Sequence, residues 1–163
     1  MTQPISTATP TPQIGMPPLG LEPAPLLDSL TYWKSGIKEL KSFRGHSQEI
    51  WSVAFSADGL TLASGGNDRF VRMWDIETGR LLRSLRGHTA HVRDVQYSPD
   101  GQILASASED RTIRLWNPQT GESLRLLFTR YDHAVTSISF SPDGLMLARC
   151  GQNKDIKIWE VTT

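Results

Sequence analysis

The stretch that decides the fold is RGHSQEIWSVAFSADGLTLASGGNDRFVRMW, residues 44–74, because the chain repeats its pattern further on. Residues 86–116 read RGHTAHVRDVQYSPDGQILASASEDRTIRLW, so His46 and His88 are 42 residues apart. A third copy, HAVTSISFSPDGLMLARCGQNKDIKIW, occupies residues 133–159. Self-similarity at a period of about 40 residues is typical of an array of repeated supersecondary units.

Each copy has the pattern of an antiparallel β-unit. Apolar and polar or small residues alternate at its start, as from Val53 to Phe55, and this is the period of a half-buried strand. An Asp-Gly pair follows in every copy, and these residues tolerate the positive φ of a tight turn. Two further strands precede LLRSL (residues 81–85) and SLRLL (residues 123–127), which we assign as fourth strands. The sequence therefore predicts an all-β protein built of four-stranded units.

The first strand of each copy contains one residue too many for strict alternation. Ile50 precedes Val53 by three positions, and the other two copies keep this spacing. Both apolar side chains can lie on one face only if the strand contains a β-bulge. We predict these bulges, with outward-pointing side chains, at Trp51, Arg93 and Thr136.

Residues 1–28 differ in composition from the rest of the chain. Seven of the ten prolines fall within residues 4–25. Proline fixes φ and removes an amide donor, so this segment cannot form a helix or enter the interior of a sheet. We predict a Pro-rich disordered tail over residues 1–28 and a repeat array over residues 29–163. A docking role for Pro17-Pro18 in the polyproline conformation is the alternative to a solvated tail.

Composition and charge narrow the classes of function. Seventeen basic and 17 acidic residues give a net charge of zero, which argues against the electrostatic footprint of a nucleic-acid binder. We expect no membrane association, since no apolar run approaches about 18 residues and the N-terminus lacks the features of a secretory signal. Cys150 is the only cysteine, which favours a cytoplasmic location. His91 and His133 lack a second ligand at a recognisable spacing, so no metal or other cofactor is expected.

Ser64, Asp68 and His46 are the residue types of a nucleophilic triad, which raises the hypothesis of a hydrolase. All three types recur 42 residues further on, and each set is accompanied by a tryptophan. A nucleophilic site would not be expected to repeat in this way, and no G-x-S-x-G elbow accompanies the serines. A structural role is therefore the favoured hypothesis, and hydrolysis is the alternative.

The succession of GH, FSPDG, LASxSxD and a closing IRLW resembles the WD40 repeat, over roughly residues 43–160. Only Trp74-Asp75 supplies the literal WD dipeptide. The resemblance implies β-propeller blades, about three in number, each with an internal hydrogen-bonded chain of His, Ser or Thr, Asp and Trp. The residues that it assigns to these tetrads are His46, Ser64, Asp68 and Trp74 in the first copy, His88, Ser106, Asp110 and Trp116 in the second, and Trp159 in the third.

The third copy departs from the pattern. Counting back from Trp159, Arg149 replaces the serine, Asn153 replaces the aspartate, and Tyr131 falls at the histidine position. We expect this blade to lack the network and the Arg149 side chain to reach solvent or a partner. The departure is typical of a degenerate terminal repeat. The alternative is that Arg149 and Cys150 contact another chain.

Three blades are too few for a closed ring, since propellers of this family typically have about seven. The blades are expected over about residues 46–85, 88–127 and 131–160, the last without a fourth strand. Residues 38–43 resemble the outer strand of a preceding blade. The resemblance implies that such a strand completes the last blade when a ring closes. We therefore expect a homo-oligomer, such as a six-bladed ring of two copies, or a complex with a polypeptide that supplies blades. A partial gene product is the alternative.

The resemblance also implies a non-enzymatic interaction scaffold that binds proteins or peptides on the face carrying the loops that lead into the blades. The outward positions there are the bulge residues, the residues two before them, and the residues before the tetrad aspartates. These positions hold Trp51, Arg93, Thr136, Glu49, His91, Ala134, Asn67, Glu109 and Gln152. Trp51 and Arg93 are the favoured pair, because interface energy concentrates in these residue types. Alternatively, Trp51 covers a blade edge and Arg93 pairs with Glu109 or Asp94.

Overall fold

The computed structural model describes residues 38–129, 133–152 and 154–161, which form β-strands joined by turns. The strands belong to three antiparallel sheets, which we call blades 1, 2 and 3. Blade 1 contains β1 (Ile50–Phe55), β2 (Thr61–Gly66), β3 (Val71–Asp75) and β4 (Leu81–Leu85). Blade 2 contains β5 (Val92–Tyr97), β6 (Leu104–Ser108), β7 (Thr112–Trp116) and β8 (Ser123–Phe128). Blade 3 contains β9 (Val135–Phe140), β10 (Met146–Gly151) and β11 (Lys157–Glu160).

The strands of each blade are hydrogen-bonded in chain order. Blade 3 has three strands within the described residues, instead of the four that the repeat predicts for a complete blade. Strands β1, β5 and β9 lie side by side, so they form the inner side of an arc of blades. The prediction of an all-β, unclosed array of propeller-type blades is therefore confirmed.

The Asp-Gly pairs form the turns between the first and second strands. In blade 1 the Gly59 amide donates to the Ser56 carbonyl at 2.9 Å, and Gly59 has a φ of 71°. The Asp58 carboxylate accepts from the Leu60 amide at 2.9 Å and from the Ser56 hydroxyl. Equivalent turns join β5 to β6 and β9 to β10. The glycine supplies the left-handed conformation and the aspartate satisfies the amide that the turn exposes.

The three predicted β-bulges are present. In blade 1, Ile50 pairs with Gly66 and Ser52 pairs with Gly65, so Trp51 is the extra residue between two consecutive partners. The same shift in register occurs at the other two predicted positions, Arg93 in β5 and Thr136 in β9. The prediction from the three-residue apolar spacing is confirmed.

Two apolar cores lie between the blades, one on each side of blade 2. The first joins Val71 of β3 and Val95 of β5, and the second joins Ile113 of β7 and Ile138 of β9. Full burial of a side chain of this size contributes about 1.5–3 kcal/mol. Each blade therefore gains its stability from the neighbour that covers its face.

The chain before blade 1 is described from residue 38. Residues 38–45 form no strand in the structure. A strand over residues 38–43 requires the edge of another sheet, so the predicted outer strand stays a prediction. The predicted tail over residues 1–28 lies outside the described residues.

Candidate functional site

Four polar side chains form a continuous hydrogen-bonded chain inside blade 1. The Trp74 indole N–H donates to Ser64 Oγ at 2.8 Å, and Ser64 Oγ lies 2.8 Å from His46 Nε2. His46 Nδ1 lies 2.9 Å from Asp68 Oδ1. Since an indole only donates and a carboxylate only accepts, the serine hydroxyl donates to Nε2, and Nδ1–H donates to the aspartate. The chain links the loop before β1 to the turn between β2 and β3.

Blade 2 contains the same arrangement. The Trp116 indole donates to Ser106 Oγ at 2.8 Å, which lies 2.7 Å from His88 Nε2. His88 Nδ1 lies 2.8 Å from Asp110 Oδ2, and the Thr112 hydroxyl donates to the other carboxylate oxygen at 2.6 Å. A network satisfied at every member specifies one packing of the blade.

Arg72 joins the network of blade 1, which sequence reasoning missed. Arg72 lies in β3, four residues after Asp68, and its Nη1 is 2.6 Å from Asp68 Oδ2. Burial alone would raise the pKa of Asp68, but hydrogen bonds from His46, the Ser47 amide and Arg72 lower the pKa from 3.8 to about 2. Burial lowers the pKa of His46, against the opposing effect of Asp68. The pair is therefore a neutral imidazole beside an ionised carboxylate at neutral pH.

In blade 2 the Thr112 hydroxyl, at the turn between β6 and β7, donates to the tetrad carboxylate of Asp110. Burial would raise the pKa of Asp110, but hydrogen bonds from the His88 ring, the Thr112 hydroxyl and the Thr89 amide hold it well below its ordinary range. Both blades thus keep an ionised carboxylate in a buried position by surrounding it with donors.

Blade 3 corrects one expectation. Arg149 stands in place of the tetrad serine, and its side chain is buried rather than directed to solvent. Its Nη1 lies 3.0 Å from Asp155 Oδ1 on the segment before β11. The expectation that it reaches solvent or a partner was wrong, because a carboxylate of the same blade lies within ion-pair distance. Trp159 is half-buried against the core between blades 2 and 3, and Cys150 is exposed.

Tyr131 stands at the histidine position of the third tetrad and Asn153 at its aspartate position. Both lie outside the described residues. The replacement of the histidine and aspartate by these residues therefore stays a statement about the sequence.

The face that carries the loops before β1, β5 and β9, here called the upper face, brings the predicted binding residues of blade 1 together. Trp51 is exposed, and its indole N–H donates to Asn67 Oδ1. The Asn67 amide donates in turn to Glu49 Oε2 at 2.9 Å. The Asn67 backbone amide also donates to the Glu49 carbonyl at 2.8 Å. The bulge therefore directs the Trp51 indole outward, and hydrogen bonds through Asn67 and Glu49 hold it in place.

Blade 2 places its three predicted residues beside Trp51. The Arg93 guanidinium lies over the Trp51 ring, 4.3 Å from its centroid. Arg93 also pairs with Glu109, its Nε lying 2.6 Å from Oε1, and His91 Nδ1 lies 3.1 Å from Oε2 of the same carboxylate. The structure thus shows the Arg93–Glu109 pair and the contact with Trp51 at once. We call Trp51, Asn67, Glu49, Arg93, Glu109 and His91 the upper-face cluster.

The equivalent positions of blade 3 follow the same backbone pattern. The Gln152 amide donates to the Ala134 carbonyl at 3.4 Å, as the Asn67 amide does in blade 1. The side chains of Gln152 and Thr136 are exposed. These positions extend the upper face without joining the cluster of blades 1 and 2.

Asp94 connects all three blades, a role that sequence reasoning did not identify. Its Oδ1 accepts from the Ser52 hydroxyl at 2.8 Å, across the boundary between blades 1 and 2. Its Oδ2 accepts from the Ser137 hydroxyl at 3.0 Å and from the Ile138 amide at 2.9 Å, across the boundary between blades 2 and 3. The signal in the sequence is the polar residue directly after each bulge residue, at positions 52, 94 and 137.

Within the part of the chain that the structure describes, no helix is long and apolar enough to cross a membrane. Among the same residues, no group of three or more His, Cys, Asp or Glu side chains is placed to hold a metal ion.

Repeated four-stranded blades with an internal indole–hydroxyl–imidazole–carboxylate chain define the class of β-propeller repeat proteins. The chain belongs to the WD40 family, described as "WD domain, G-beta repeat", which it matches over residues 37–75, 79–117 and 124–160.

Individual WD-repeat proteins resemble short parts of the chain. It is 49% identical over 37 residues to the WD repeat-containing protein slp1 of Schizosaccharomyces pombe, 23% of this chain and 8% of that protein. It is 51% identical over 39 residues to the small ribosomal subunit protein RACK1 of Candida albicans, 24% and 12% of the two chains. The anaphase-promoting complex subunit cdc20 of Dictyostelium discoideum is 46% identical over 39 residues, 24% and 8%. Each match thus spans about one repeat and a small part of the relative's length.

Proposed function

We propose that this chain is a protein-interaction scaffold that binds a protein or peptide partner through its upper face. The observation that carries the proposal is the exposed Trp51 indole, held against Arg93 by a bulge and by hydrogen bonds. Aromatic and arginine side chains that are fixed before binding lose little conformational entropy on association. Two blades contribute to the cluster, so the site exists only where blades are assembled.

The charges of the upper-face cluster favour a partner segment with a basic residue. Glu49 and Glu109 carry negative charges and Arg93 carries the opposing charge, so these three side chains have an excess of one negative charge. Glu49 is exposed, and hydrogen bonds from its own backbone amide and from the Asn67 side chain lower its pKa below the ordinary value. A lysine or arginine of the partner would therefore meet an ionised carboxylate beside an aromatic ring.

The same observations support a non-enzymatic role. The serines of both tetrads are buried, and each accepts an indole N–H, so neither hydroxyl is presented to a substrate. The names of the similar proteins designate a ribosomal protein, a cofactor and subunits of complexes rather than enzymes. The zero net charge also favours a protein or peptide partner over nucleic acid.

We further propose that the chain works in the cytoplasm as part of a homo-oligomer or of a complex that supplies further blades. The relatives named as ribosomal and translation-initiation proteins support this location and this kind of assembly. The exposed apolar faces at the two ends of the arc support the need for a partner.

The test is selection of peptides from a random displayed library on the immobilised chain, followed by anisotropy titration of the selected peptides. We expect the Trp51→Ala and Arg93→Ala substitutions to weaken binding by at least about tenfold. Ser123→Ala, an exposed change on β8 of blade 2, is the matched control and should leave the affinity unchanged. Selected peptides that bind all three variants equally would place the site elsewhere and refute the proposal.

A further inference from the structure

The face of blade 1 that points away from blade 2 has exposed apolar side chains. The equivalent side chains of the other blades are covered by a neighbouring blade. Val53 of β1 is 59% exposed, whereas the equivalent Val95 of β5 is 1% exposed because blade 1 packs on it. Ile50 is likewise exposed, and its equivalent Val92 is fully buried. The apolar character of the position is therefore that of an interface between blades, with the covering blade absent from the described residues.

Blade 3 has the complementary bare face. Ile156 is 75% exposed, whereas its equivalent in β7, Ile113, is fully buried beneath blade 3. Ile158 of β11 is also exposed, while its equivalent Leu115 is buried. The two ends of the arc therefore present the two halves of one interface, which the molecule already forms twice between its own blades.

The segment before blade 1 adds a second, independent observation. Lys41 donates from Nζ to the carbonyls of Ile76 and Glu77, in the turn after β3. Arg83 of β4, 42 residues later, donates in the same way to the carbonyl of Gln119, in the turn after β7. Residues 40–45 thus lie against blade 1 where the outer strand of a preceding blade would lie.

We propose that a second copy of this chain covers both faces, so that two three-bladed arcs assemble head to tail. The β1 face of one copy packs on the β10–β11 face of the other, as β5 packs on blade 1 within the chain. Residues 40–43 of each copy then lie beside β11 of the other and supply the fourth strand of its blade 3. Such a heterologous contact closes into a ring when the rotation per copy is half a turn.

This inference identifies the partner in the assembly proposed above as a second copy of the chain, and it therefore rests on that part of the proposed function. It is independent of the upper-face cluster, whose residues do not line the two bare faces. The experiments below therefore separate a failure of the assembly from a failure of peptide binding.

The first experiment is sedimentation equilibrium of the full chain and of two variants. We expect a mass of about 36 kDa for the unmodified chain, twice its 18.2 kDa. Val53→Asp should reduce the mass to that of one chain with an unchanged circular dichroism spectrum, because residue 53 is exposed in the single copy. Leu60→Asp is the matched control: Leu60 is exposed, and so is its equivalent Gln102, which has a blade on either side.

A monomeric unmodified chain, or a series of open oligomers that grows with concentration, would overturn the proposal. Equal masses for Val53→Asp and Leu60→Asp would also overturn it. Arg93→Ala should keep the mass of two copies, so that loss of peptide binding with an unchanged mass points to the upper face alone.

The second experiment uses Cys150 as a reporter. Its equivalent in blade 2 is Ala107, which is buried in one core with Ile138, the blade 3 equivalent of Val53. In the proposed assembly Cys150 therefore lies beside Val53 of the second copy. Oxidation of the Val53→Cys variant with diamide removes two electrons and two protons from each thiol pair, and should give a disulfide-linked species of two chains on a non-reducing gel.

The control for cross-linking is Leu60→Cys, which also adds one thiol to an exposed position. We expect at least about tenfold less linked product from it, since its position is remote from Cys150 in the proposed packing. Cross-linking of the two variants to the same extent would contradict the head-to-tail arrangement. In the unmodified chain, slow reaction of Cys150 with a thiol reagent and a fast reaction in Val53→Asp would agree with burial by the second copy.

Discussion

Replacement of Ser106 by alanine tests the structural role of the tetrads. The serine hydroxyl accepts the Trp116 indole N–H at 2.8 Å and lies 2.7 Å from His88 Nε2, and all three side chains are buried. Removing the hydroxyl leaves one donor and one acceptor without this partner. Because each unsatisfied buried group costs about 1–3 kcal/mol, the variant should lose about 2–6 kcal/mol of unfolding free energy.

The assay is urea unfolding followed by far-ultraviolet circular dichroism at a fixed protein concentration, because stability depends on concentration in an assembly. Ser123→Ala, an exposed serine of β8, is the control and should change the unfolding free energy by less than about 0.5 kcal/mol. An unfolding free energy of Ser106→Ala within that margin of the unmodified chain would refute the reasoning, provided that both transitions have the same denaturant dependence.

Three further predictions concern the same molecule. The pKa of Asp68 is about 2 in the fold against 3.8 ordinarily, so about 2 kcal/mol of stability should be present above pH 4 and be lost as the pH falls toward 2. The lowered pKa of His46 removes further stability as the pH falls below 6.5. In Asp68→Asn the unfolding free energy, measured by urea unfolding, should therefore fall less steeply with decreasing pH. Asp94→Ala should cost about 1–3 kcal/mol by leaving donors of two neighbouring blades unpaired, as thermal unfolding would show, and no loss would contradict the bridge. Gly65→Ala should destabilise by about 1–3 kcal/mol in urea, since its Cβ would lie 2.6 Å from Cγ1 of Val92; a neutral result would mean that the blades separate easily.

The fold was predictable because its signals are local and repeat. The Asp-Gly turns, the two-residue alternation and the three-residue spacing from Ile50 to Val53 each concern a few neighbouring residues. The bulge at Trp51 follows from that spacing and from the requirement that both apolar side chains face the core. Repetition at a fixed period then strengthens every one of these inferences, because three copies must adopt one conformation.

The contacts between blades were less predictable, because they depend on side-chain direction and on residues distant in the sequence. In the sequence Asp94 cannot be distinguished from any other polar residue of a strand. Only the packing of β1, β5 and β9 shows that its carboxylate joins Ser52 to Ser137. Arg149 was expected to reach solvent or a partner, but a carboxylate within reach on Asp155 accounts for its burial. Sequence reasoning placed the members of the upper-face cluster on one face but did not foresee that Trp51 and Arg93 stack on each other.

The central claim is that each complete blade is held by a buried chain ending in a tryptophan indole, which leaves the upper face for binding. Hydrogen exchange of the indole N–H protons, assigned with tryptophan-to-phenylalanine variants and followed by nuclear magnetic resonance, tests this most directly. We expect the Trp74 and Trp116 indoles to exchange at least about 100-fold more slowly than the exposed Trp51 indole. Equal and rapid exchange at all three positions would contradict the account.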